Sequence, residues 1–162
     1  MTDLSAARLT KLSPAALKFL RAYVYGMALQ LSVDDNEGVH PDVLGILAGA
    51  KDRREIKSAL TELEDAEVVN GFTEPRGGPC VWITPDGIRR AVDEGFVEMS
   101  LAWTLWPHDD SQYEAVINES MGDANDFDWK AAQKWGDAVC DMLDDETYEK
   151  AVSTYRKLIH EV

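Results

Sequence analysis

The stretch DRREIKSALTELEDAEVVNGFTEPRGGPCVWITPDG, residues 52–87, changes its apolar period from helical to alternating and back, and those changes decide the fold. Asp52 followed by Glu55 has the spacing of a capping box with Asp in the Ser/Thr role, so a helix opens there. At about 100° per residue, Ile56, Ala59, Leu60 and Leu63 gather on one side. Arg54, Lys57, Ser58 and Thr61 fall on the opposite side, and Arg53 flanks them. The spacing predicts a helix over 52–67 with one face packed and the other turned to solvent. Its outer face is basic for two turns, then acidic through Glu62, Glu64, Asp65 and Glu67, so its N-terminal half alone tolerates phosphate.

Two β-prone runs follow, Val68 to Thr73 and Cys80 to Thr84, joined by Glu74-Pro75-Arg76-Gly77-Gly78-Pro79. They read as a hairpin with a stiff tip carrying one cation, Arg76. Thr84 then serves as N-cap and Pro85 as the first helical residue of a helix that packs through Ile88, Ala91 and Val92 and ends at Gly95.

Upstream, Ser13-Pro14 is the same cap-and-proline pairing. Leu17, Leu20, Tyr23, Val24, Met27, Ala28 and Leu31 recur at helical spacing behind it. A polar loop at 32–38 separates this helix from a shorter one over 41–48, which closes at Gly49.

The order helix, short helix, amphipathic helix, hairpin, helix, over about 13–94, resembles a winged helix-turn-helix domain of bacterial or phage regulators. The string Val81-Trp82-Ile83-Thr84-Pro85-Asp86-Gly87 is similar to the strand-Thr-x-x-Gly exit from the wing in many of them. The resemblance implies a mainly α fold with a small β-hairpin (α+β), a recognition helix at 52–67 and a wing at 68–84. It further implies a DNA-binding transcriptional regulator that works on double-stranded DNA without a cofactor. Arg53, Arg54, Lys57, Ser58 and Thr61 would meet base edges or phosphates, and Arg76 the adjacent minor groove.

This domain is expected to occupy residues 1–96, followed by an acidic helical extension over 97–162. Residues 97–106 alternate as a strand does, although a helix continuing from Pro85 fits them nearly as well. A short helix at 111–121 and a loop at 122–127 come next. Apolar spacing then predicts helices over about 128–143 and 146–160, a helical hairpin bent at Asp144-Asp145. Its Trp and Tyr stripes serve either as core against the winged domain or as a homodimer seam; two-fold pairing would set two recognition helices about 34 Å apart.

Charge is unevenly placed. Residues 1–97 hold 11 Lys/Arg against 15 Asp/Glu, and residues 98–162 hold 5 against 15, within a net of −14. Nucleic-acid contact must therefore come from a local basic patch, here Lys51, Arg53, Arg54 and Lys57. Arg89 and Arg90 are placed on the outer face of the helix after the wing. The acidic part suits a rival reading, a protein-interaction module or inhibitor that engages a basic partner through 98–162 by presenting carboxylates where phosphates would stand.

No segment has the length and apolarity of a membrane span, and the opening lacks a secretory h-region, so a cytoplasmic protein is expected. Cys80 and Cys140 lie far apart and read as buried free thiols. His40, His108 and His160 are scattered, no nucleophile or phosphate-loop motif occurs, and no enzyme is expected. The acidic loop at 123–128 lacks the glycine and the twelfth-position glutamate of a calcium loop, and His108-Asp109-Asp110 cannot converge on one ion, so no metal is expected.

Overall fold

The structure, a computed structural model, describes residues 11–31, 38–70, 80–97 and 129–160. Over these the chain is mainly helical: α1 (Pro14–Ala28), α2 (Pro41–Ala48), α3 (Arg53–Asp65), strands β1 (Val69–Asn70) and β2 (Trp82–Ile83), α4 (Pro85–Asp93), α5 (Trp129–Met142) and α6 (Asp145–His160). The element order is compatible with a winged-helix shape. The expectations for 98–128 and for the hairpin tip, Arg76 included, lie outside the described residues.

The starts of α1, α3 and α4 are capped as their sequences require. The Ser13 hydroxyl accepts from Ala16 N–H at 3.1 Å, Asp52 Oδ1 from Glu55 N–H at 2.9 Å, and Thr84 Oγ1 from Gly87 N–H at 2.9 Å. His40 plays this part for α2, with Nδ1 accepting from Asp42 N–H at 3.0 Å. Asp144 caps α6 by accepting from the Thr147 amide and hydroxyl, which holds its carboxyl below the usual carboxylate range.

α1 is the hub. It packs against α2 and α3 on one side and α5 on another, which is why Ala16, Phe19 and Ala22 are buried along with the expected Leu20, Tyr23, Val24 and Leu31. Leu17, Met27 and Ala28, expected in the same apolar stripe, are only half-buried. Tyr23 is enclosed by core and its hydroxyl is bonded to the Ile83 backbone; burial pushes that phenol well above its usual range.

The ribbon is antiparallel, with Val69 opposite Ile83 and Asn70 opposite Trp82. Its other edge is covered by a feature the sequence does not announce. Val39, just after the predicted polar loop, exchanges both backbone hydrogen bonds with Val81 at 2.8 and 2.9 Å. The ribbon is thereby fastened to the entrance of α2.

The C-terminal helices sit on this core. α5 lies on α1 and α6 on α2, with Ala151 inside the core and Trp135, Leu143, Val152, Tyr155 and Leu158 packed against it. The approach of α5 is close enough that a methyl group on Gly136 would stand 2.9 Å from the Ala28 carbonyl oxygen. Trp135 and Tyr155 of this hairpin thus pack as core against the N-terminal helices.

Candidate nucleic-acid interface

α3 is held by its ends and by one face. Ala59, Leu60 and Leu63 are buried in the core and Ile56 is half-buried over Gly45 of α2. That fixes the rotation of the helix and turns Arg54 and Ser58 outward, with Lys57 on one shoulder. Lys51, Arg53, Arg54, Lys57 and Ser58 are all exposed, and Thr61 is half-buried.

Two acids share this first stretch, yet neither neutralises the cations directly. Asp52 is turned toward the Glu55 amide, and Glu55 Oε2 accepts from Lys51 N–H at 2.9 Å. Among the described residues no ion pair holds Lys51, Arg53, Arg54 or Lys57. Four cations thus stand with free heads around the N-terminus of a helix, where the unpaired amides and the macrodipole add positive potential. This combination is suited to phosphate oxygens, and the Arg54 and Ser58 side chains have the donors to address base edges.

The far end of α3 is tied down. Glu62, expected on the acidic outer face, is instead half-buried and grips the start of α1, accepting from Ser13 N–H at 2.7 Å and Ser13 O–H at 2.8 Å. The helix closes with Glu67 in the left-handed region at φ 60°, while Val68 N–H reaches back to Leu63 and Glu67 N–H to Glu64. Thr84 Oγ1 donates to the Glu67 carbonyl at 2.6 Å while capping α4. A methyl group on Gly87 would lie 2.3 Å from the Val68 carbonyl oxygen, so the Thr-x-x-Gly junction requires glycine for a close backbone approach.

Arg90 corrects its sequence assignment. It does not lie on an outer face: its side chain is 11% exposed, pairs with Asp86 at 3.1 Å and donates to the Ala66 carbonyl at the end of α3. It serves as a cationic C-cap for the candidate recognition helix. Arg89 is exposed and pairs with Asp86 as well.

No family model, curated protein or solved structure matches this chain. The reading of the site therefore rests on its geometry. A further set of cations has no sequence signature of its own: Lys18 and Arg21 are exposed on α1, which carries no acidic residue, and Lys11 is exposed just before it. Arg21 lies 6.0 Å from the Phe96 ring centroid. Cys80 is buried as expected, whereas Cys140 is only half-buried. No grouping of three potential metal ligands occurs among the described residues, and none of their helices is long and apolar enough to cross a membrane.

Proposed function

We propose that the chain is a DNA-binding transcriptional regulator with a winged helix-turn-helix core. Its α3 enters the major groove by its N-terminal half, and the hairpin after residue 68 serves as the wing. The observation that carries this reading is the exposure of Arg53, Arg54, Lys57 and Ser58 on a helix whose opposite face is locked in the core, with no described ion pair on the cations. Arg54 and Ser58 are assigned to base edges, and Arg53 and Lys57 to phosphates, with Thr61 and Arg76 as flanking contacts. Fluorescence anisotropy with mixed genomic fragments at low salt tests it. Saturable binding that weakens steeply with added salt is expected, and complete absence of binding rejects the reading.

A second reading is supported by the second half of α5 and its bend into α6, along which Asp137, Asp141, Asp144 and Asp145 are all exposed. In a chain of net charge −14 these carboxylates suit a basic protein partner, with the winged scaffold acting as an interaction module. Capture of such a partner that disappears on charge reversal at these four positions, together with no DNA binding, would favour it over the first.

A further inference from the structure

His40 stands at the entrance of α2, and its side chain is 14% exposed. The next residue, Pro41, has no N–H, so the first amide of the helix that needs an acceptor is that of Asp42, which donates to His40 Nδ1 at 3.0 Å. An imidazole nitrogen accepts only while it carries no proton, so this cap exists only in the neutral ring with its hydrogen on Nε2.

Protonation sets several effects against the fold at once. It turns the acceptor into a donor facing another donor, and it places a positive charge at the positive end of the α2 dipole. It also charges a ring that is mostly out of water and lies within the field of Arg53 from α3. The Asp42 carboxylate, 3.8 Å from Nδ1, is the group that favours the cation. Among the described residues, Asp42 and Arg53 are the charged groups that act on the ring, and none from α1 or α6, the other helices packed on α2, joins them. Burial dominates this balance, and the ring is held below its ordinary value of 6.5.

We infer that His40 is a proton-sensitive clasp on α2, whose protonation releases the first turn of that helix and loosens the seat of α3. The inference goes beyond the nucleic-acid reading and holds whatever α3 binds. α2 buries Val43, Leu44 and Leu47 and passes through a left-handed Gly49 directly into Asp52 and Arg53, so freedom at its start reaches the mounting of the basic cluster. A folded-state value below the unfolded one gives a stabilisation that is complete above about pH 6.5 and is lost as pH falls through the lower folded value.

The test combines NMR titration of the full chain with thermal melts at pH 7.5 and 5.0, comparing the native protein with His40→Asn, which keeps a capping oxygen that does not titrate. The His40 ring is expected to titrate below 6.5 with the Asp42 amide resonance following it. The native melting temperature should fall relative to His40→Asn on acidification, a comparison in which His108 and His160 contribute equally to both. His40→Ala should melt lower than native at pH 7.5 and approach it at pH 5.0. A ring that titrates at or above 6.5, or identical pH profiles for native and His40→Asn, overturns the inference.

Discussion

The two halves of α3 are built on opposite principles although one apolar stripe runs under both. In the first two turns the outward side chains are cations with no described partner, and the nearby acids are directed at backbone amides. In the last turns the helix is tied to the scaffold: Glu62 grips Ser13, Thr84 holds the Glu67 carbonyl and Arg90 holds the Ala66 carbonyl. Fixing one end of a helix by several independent contacts allows the other to present unneutralised charge in a fixed direction, which a binding surface requires. The difference also separates stability from function, since changes at the tethered half should act on folding and changes at the free half on binding.

The largest expected effect lies at the tethered junction. Gly87→Ala drives a methyl group into the Val68 carbonyl oxygen, where neither backbone segment can yield without breaking the Thr84 contacts, and should destabilise by about 3 kcal/mol in denaturant melts. Next comes Glu62→Ala, which leaves the Ser13 amide and hydroxyl without their acceptor. A loss of about 2 kcal/mol is expected, and Glu62→Gln should recover part of it because the amide oxygen still accepts. An effect within 0.5 kcal/mol for Glu62→Ala would show that the far end of α3 is not held as described.

Glu67→Gly should act in the opposite direction. The left-handed conformation at this position costs a residue with a Cβ about 1 kcal/mol, and glycine removes that cost, so a stabilisation of about 1 kcal/mol is expected. α2 and α4 already end on glycine in this conformation, Gly49 and Gly95, whereas α1 ends on Gln30 at φ 59°. Gln30→Gly is the control, and a loss of stability in either variant would contradict the helix endings described.

The contrast between local and distant interactions also explains what could be read from the sequence. Ser13, Asp52 and Thr84 announce helix starts because a cap is satisfied within three residues. The fold class and the exposure of Arg53, Arg54, Lys57 and Ser58 followed from period alone. The Val39–Val81 bridge was not legible, since a single residue pair leaves no period, and Glu62 gave no sign of a partner 49 residues away. Phe19 and Ala22 fell outside the predicted stripe of α1 because a helix covered from two sides buries more than one face. Arg90 was misplaced for a related reason: a long cation lying across a neighbouring helix end has the same sequence signature as an exposed one.

Charge in the C-terminal part is also less uniform than its total. Residues 129–160 hold five basic and six acidic residues, whereas residues 98–128 hold eight acidic and no basic ones. Charge reversal at Asp137, Asp141, Asp144 and Asp145 would therefore leave the eight carboxylates of 98–128 untouched. A small effect of that variant on capture of a basic partner would direct the second reading to 98–128.

At the free half the expected effect on folding is the smallest and the effect on binding the most informative. Arg54→Ala with Lys57→Ala should change stability by less than about 0.5 kcal/mol, as exposed, unpaired side chains do. The most direct measurement is the salt dependence of DNA affinity for the native chain and this double variant, read by anisotropy over a range of ionic strength. If both cations neutralise phosphates, the slope of log affinity against log salt falls by about two units in the variant while the melting curve stays unchanged. Equal slopes, or no binding by the native chain at low salt, would contradict the account.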